Sequence, residues 1–192
     1  MSYIADTYFG DYLRYNKSLH SYQTLHIKPR NHKSEVIVIH GPTGTGKSVW
    51  CHENFPSAYW KSKSEWWDGY EQHEVVVIDE FYGWLKYDYM LRLLDRYPFQ
   101  VEIKGAHVQF TSKLIVITSN KSPDSWYKCE NSALLRRIDH IWLKNTLEDD
   151  FIVLKGKDPY TFINEYNAEI DFTDITDSDI RNFVNIDIID DV

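Results

Sequence analysis

With 192 residues and 43% hydrophobic side chains, the chain is long enough to bury a core without disulfides, and no apolar run approaches the length of a membrane span. Its two cysteines, Cys51 and Cys129, exclude a disulfide framework and a cysteine-based metal site, and read as free thiols of a reducing, intracellular compartment. The net charge of −8 excludes little, because nine acids and one base fall in residues 161–192, leaving twenty of each sign in residues 1–160. A local basic loop is therefore still free to grip phosphate.

In chain order, Ile4, Tyr8, Tyr12, Tyr15, Leu19 and Tyr22 recur at three- and four-residue steps. That spacing predicts a small helical piece with an apolar stripe. The start MSYIADTYFG lacks the basic-then-apolar pattern of a secretory signal. Lys28 to Glu35 is a polar, proline-containing break. Three runs follow: EVIVIH (35–40), EVVVIDEF (74–81) and KLIVITSN (113–120). Each is short, β-branched and non-alternating, the signature of strands buried on both faces of a parallel sheet. Between them YDYMLRLLDRY (87–97) puts Met90, Leu91, Leu94 and Tyr97 on one helix face. Strands alternating with helices predict an α/β fold. VEIKGAHVQF (101–110) alternates on both sides of Lys104-Gly105-Ala106-His107, as a β-hairpin does. Residues 161–192 read as an acidic tail that starts as an ordered edge and ends frayed.

Chemistry gathers where the apolar runs end. Gly41-Pro42-Thr43-Gly44-Thr45-Gly46-Lys47-Ser48 fits Gly-x-x-x-x-Gly-Lys-Ser directly after a strand. The glycines let successive backbone N–H groups point at phosphate oxygens, Lys47 reaches the β- and γ-phosphates, and Ser48 ligates Mg²⁺ at the start of a helix. Asp79 and Glu80 end a buried strand, where two carboxylates are expensive unless they hold something. In a phosphate-binding fold the first holds the Mg²⁺ shell and the second polarises an attacking water; on their own they would read as solvated turn acids. Asn120 ends the next strand and either faces the γ-phosphate or opens the turn before KSPDS. Arg136 and Arg137 precede another apolar run; they suit an arginine finger or an ordinary solvated helix face. Lys104 and His107 at the hairpin tip suit a backbone-phosphate contact or plain turn polarity. The histidines show no His-x-His spacing that would mark a metal site.

The run WWDGY…EVVVIDEFYGWL…LLRLLDRYPFQVEIKGAHVQF…LIVITSN resembles the helicase region of the replication initiator proteins of circoviruses and similar small viruses with circular single-stranded DNA. These are superfamily 3 helicases, a branch of the AAA+ ATPases. The resemblance spans about Lys33 to Leu143. It implies a P-loop NTPase with a parallel central sheet at residues 31–160, preceded by a helical oligomerisation collar at 1–30 and followed by the acidic tail at 161–192. It also implies roles: Gly41 to Ser48 as the Walker A loop for ATP, Asp79 and Glu80 as the Walker B pair with Ser48 and Asp79 on Mg²⁺, and Asn120 as sensor 1. By the same resemblance Lys104 and His107 would face single-stranded DNA in the pore of a hexameric ring, and Arg137, ahead of Arg136, would be the finger supplied in trans. The implied activity is ATP-driven translocation on single-stranded DNA during rolling-circle replication, in the host-cell nucleus and without a membrane partner. Full-length relatives also carry a nicking endonuclease with a His-hydrophobe-His site and a Tyr-x-x-Lys, so nicking and joining are not expected of this stretch. Two other readings stay open, a small-molecule P-loop kinase, for which no arginine-rich lid is evident, and an ATP-dependent DNA-binding scaffold that does not unwind.

Overall fold

The three β-branched runs become neighbours at the centre of one sheet. The computed structural model describes residues 2–169, which fall into two units, one ending at Gly156 and one beginning at Lys157. In chain order the first holds α1 (Ser2–Thr7), α2 (Phe9–His26), β1 (Glu35–His40), α3 (Lys47–Asn54), β2 (Tyr59–Trp60), β3 (Val75–Ile78), α4 (Tyr87–Leu93), β4 (Gln100–Ile103), β5 (Ala106–Gln109), β6 (Leu114–Ser119), α5 (Ser132–Leu135), β7 (His140–Leu143) and β8 (Ile152–Lys155). The sheet order is β2-β3-β6-β1-β7-β8, parallel except for β8, which pairs antiparallel with β7. β1 lies between β6 and β7, with Val36 opposite Ile115 and Val38 opposite both Ile117 and Ile141.

Val36 to Ile39, Val76 to Ile78 and Ile115 to Ile117 are all fully buried, so both faces are covered and the strands have no reason to alternate. Below one face pack Trp67, Tyr70, Phe81, Phe110 and Trp126, with Met90, Leu93 and Leu94 from the α4 region. The parallel arrangement brings the carboxyl ends of β1, β3 and β6 side by side, where an open α/β sheet forms its ligand crevice. The α/β class and the mainly parallel central sheet are as the sequence predicts.

Several local readings are corrected. α4 stops at Leu93 rather than running to residue 97: the Arg92 and Leu93 carbonyls accept from the Arg30 guanidinium at 2.8 Å, and the Arg96 amide donates to Asp95 Oδ1 instead of continuing the helix. Tyr97 is consequently exposed instead of sharing a buried face with Met90 and Leu94. The hairpin turn is only Lys104-Gly105; Ala106 and His107 belong to β5, with His107 opposite Glu102. The N-terminal residues form helices as the spacing predicts; of the apolar stripe Tyr8, Tyr15 and Tyr22 are exposed and Tyr12 and Leu19 half-buried, Phe9, Leu13 and Leu25 beside it are exposed too, and the side chain of Ile4 lies outside the described set. Strands β2 and β8 were not anticipated.

The second unit holds α6 (Pro159–Glu169), an unanticipated helix. Asp158 Oδ1 accepts from the N–H groups of Tyr160 (3.1 Å) and Thr161 (3.0 Å), capping the helix start behind a first-turn proline. Most of the expected acidic tail, residues 170–192, lies outside the described residues. No helix among the described residues is long and apolar enough to cross a membrane.

Candidate nucleotide site

The loop after β1 is shaped by what crosses it. Lys144 N donates to His40 O (2.8 Å) and Gly41 N donates to Ser119 O (3.1 Å), pinning the loop base between β7 and β6. At Gly41, with φ at +144°, a Cβ would lie 1.9 Å from the Lys144 carbonyl oxygen, so no other residue fits. The chain then enters α3, whose first amides face the loop. Lys47 is buried, and its Nζ donates to Gly41 O (2.9 Å), Pro42 O (2.6 Å) and Thr45 Oγ1 (3.3 Å). Burial lowers its pKa, against the opposing pull of Asp79 and Glu80. The ammonium group is thus folded back on its own loop, where an incoming phosphate would exchange neutral carbonyl partners for charged oxygens.

Across the crevice, Asp79 Oδ1 accepts from Ser48 Oγ at 2.7 Å and from Thr118 Oγ1 at 2.6 Å. Thr118 Oγ1 also accepts from Glu80 N at 3.0 Å, and Thr118 O from Phe81 N at 2.8 Å. Glu80 has φ of +48°, a left-handed backbone that a residue with a side chain adopts only when its surroundings hold it there. Thr118 supplies that hold. Thr118 was not among the residues expected at the site. A hydroxyl inside the apolar run IVITSN is the signal that could have found it, since a buried hydroxyl requires partners. Between loop and strand ends lies a cavity of about 280 Å³, lined by Thr43 to Val49, Glu80, Thr118, Asn120 and Leu147. Leu147, also unanticipated, reaches over Gly46: a Cβ there would lie 2.9 Å from its Cδ1. The hydroxyl of Ser48 and the carboxylate of Asp79 form an all-oxygen donor set suited to a hard divalent cation that keeps water and phosphate oxygens as its other ligands.

The family described as RNA helicase matches residues 37–121. The Replication-associated protein of Beak and feather disease virus is 49% identical over 148 residues, 76% of this chain and 51% of that protein. That of Porcine circovirus 1 is 52% identical over 120 residues, 58% of this chain and 38% of that protein. The chain belongs to the circovirus-type superfamily 3 helicase domains. More distantly, Replication protein E1 of Human papillomavirus type 70 is 33% identical over 102 residues, 47% of this chain and 16% of that protein. The chain spans about half the length of the circovirus relatives it matches.

Within this helicase domain, the loop Gly41 to Ser48, Asp79, Glu80 and Asn120 therefore meet in one protomer. The remaining candidates lie elsewhere. Arg136 is exposed. Arg137 is half-buried, with Nη2 2.6 Å from Asp95 Oδ2 and Nη1 donating to Ala133 O at 2.7 Å. Lys104 and His107 project from the hairpin, 76% and 60% exposed. Asp68 Oδ1 accepts from Lys104 N at 2.8 Å and Oδ2 lies 3.5 Å from Lys104 Nζ; Glu102 lies 4.0 Å from His107.

Proposed function

We propose that the domain is an ATP-driven motor that translocates on single-stranded DNA during replication of a circular viral genome in the host-cell nucleus. The observation that carries this reading is the convergence of Ser48 and Thr118 on Asp79 beside the cavity that Lys47, Glu80 and Asn120 line. In it, the amides of the Gly41–Ser48 loop and the Lys47 ammonium hold the triphosphate of ATP. Ser48 and Asp79 hold Mg²⁺, which when bound neutralises charge on the phosphates. Glu80 accepts a proton from the attacking water, and Asn120 orients that water or the γ-phosphate. No covalent intermediate is needed: positioning and electrostatics carry phosphoryl transfer.

The active site is completed by a second copy. Arg137 of the neighbour is the assigned finger: its guanidinium is already oriented by bonds at both ends, so less freedom is lost on engaging a phosphate than for the exposed Arg136. The exposed aromatic and aliphatic side chains of residues 1–30, Tyr8, Phe9, Leu13, Tyr15, Tyr22 and Leu25 among them, suit a collar that buries them between copies of a hexameric ring. Lys104 and His107 then face the strand in the pore.

The test pairs Lys47→Ala and Glu80→Gln in ATPase and fork-unwinding assays with Mg·ATP. Lys47→Ala should abolish both ATP uptake and turnover. Glu80→Gln should keep uptake and lose turnover and unwinding. Full ATPase activity in Glu80→Gln would refute the assigned base. Wild-type ATPase without unwinding would favour a DNA-bound scaffold.

A further inference from the structure

Arg137 is engaged with its own protomer. Nε and Nη2 donate to Asp95 Oδ2 at 3.2 and 2.6 Å, and Nη1 donates to Ala133 O at 2.7 Å. A guanidinium carries five N–H groups. These three contacts leave one on each terminal nitrogen, enough for a bidentate grip on a phosphate.

Asp95 is itself fixed. Its Oδ1 accepts from Arg96 N at 2.8 Å, so both carboxylate oxygens are used. The backbone on either side of it is braced from a distance by Arg30. That buried guanidinium donates at 2.8 Å to the carbonyls of Arg92, Leu93 and Tyr97, and lies 5.2 Å from the centre of the Phe110 ring. Burial raises the pKa of Asp95, but the hydrogen bonds from Arg137 and Arg96 and the charges of Arg137 and Arg30 outweigh it, and the carboxyl titrates below the ordinary aspartate value. The carboxylate is therefore charged wherever the motor would work. Arg30 lies between α2 and β1, Asp95 just beyond α4, and Arg137 beyond α5, so the three tie separate stretches of chain to one guanidinium.

We propose that Asp95 is a positioning residue for Arg137: it sets the guanidinium, before any neighbour docks, in the orientation that meets the triphosphate of the adjacent copy, with Arg30 as the brace that fixes Asp95. This rests on the assignment of Arg137 as the arginine supplied in trans. Asp95 touches no substrate. Its effect falls on turnover at the neighbour's site and leaves nucleotide uptake at its own site intact.

The experiment uses the full 192-residue chain with a single-stranded oligonucleotide and Mg·ATP. Asp95→Asn should lower kcat between about ten- and a hundredfold with the Kd for a fluorescent ATP analogue unchanged, and Asp95→Glu should recover part of the loss. The decisive arm mixes Asp95→Asn subunits one-to-one with Lys47→Ala subunits. Random mixing puts an intact cradle beside a correctly held Arg137 at about a quarter of the interfaces, so turnover should return to roughly a quarter of wild type, above the sum of the separate variants. An unchanged kcat in Asp95→Asn overturns the proposal. So does a lost kcat that Lys47→Ala subunits do not restore while they do restore Arg137→Ala, because Asp95 would then serve only the fold of its own protomer. If Arg137→Ala is not restored either, the trans assignment of Arg137 fails, and the proposal with it.

Discussion

Replacing Thr118 by Val keeps the shape of the side chain and removes one hydroxyl, which in this structure has two partners. It donates to Asp79 Oδ1 at 2.6 Å and accepts from Glu80 N at 3.0 Å. Without it the part-buried Glu80 amide loses its acceptor and the Asp79 carboxylate loses a hydroxyl donor, together about 1.5–3 kcal/mol for contacts that include a charged group. The left-handed backbone of Glu80, at φ +48°, already costs about 1 kcal/mol or more, so the turn carrying the assigned base loses its tether while under strain. If about 1.4–2.7 kcal/mol of that loss reaches the transition state, kcat falls roughly ten- to a hundredfold. Steady-state ATPase at saturating Mg·ATP reads this directly. Thr118→Ser is the control: it keeps the hydroxyl, loses the methyl, and should stay within a few-fold of wild type. Wild-type kcat in Thr118→Val would refute the reasoning. So would equal losses in the Val and Ser variants, since packing rather than the hydroxyl would then be at work.

Gly41→Ala places a methyl 1.9 Å from the Lys144 carbonyl oxygen, backbone that cannot step aside, and should abolish uptake of a fluorescent ATP analogue; wild-type binding and Tm would contradict the geometry. Lys104→Ala should weaken single-stranded DNA binding and reduce the slope of log K against log salt by about 0.7, one phosphate contact, with basal ATPase largely kept; unchanged affinity at low salt would count against the hairpin as a DNA contact. Arg30→Lys loses the planar fork that serves three carbonyls and should cost about 2–3 kcal/mol, read as a fall in Tm of roughly 5–10 °C; an unaltered melting curve would show that the brace is not needed.

The sheet was legible because its central strands are buried on both faces, and that demand writes itself into composition: EVIVIH, VVVI and LIVITS stand out without any partner being known. The edge elements carry no such mark. β2 is two residues long and β8, Ile152–Lys155, is exposed throughout, so each exists by pairing with a strand already in place. The cradle and the strand-end acids were legible for a similar reason, since Gly41, Gly46, Lys47, Ser48, Asp79 and Glu80 sit at fixed offsets from those buried runs. Thr118 and Asp95 were not. Thr118 meets Asp79 across 39 residues and Asp95 meets Arg137 across 42; the hydroxyl inside IVITSN is visible locally, but neither partner is. The α4 boundary was misplaced because the apolar spacing continues to Tyr97 in sequence, while the distant Arg30 takes the carbonyls that would have carried the helix on.

In the proposed motor, one copy of the chain holds ATP and another completes its site. Specific ATPase activity measured against chain concentration, with Mg·ATP and a single-stranded oligonucleotide held constant, tests that claim most directly. Turnover per chain should climb steeply with concentration and then level off as rings fill. A rate per chain that stays constant down to nanomolar dilution, where the protein sediments as single copies, would contradict it.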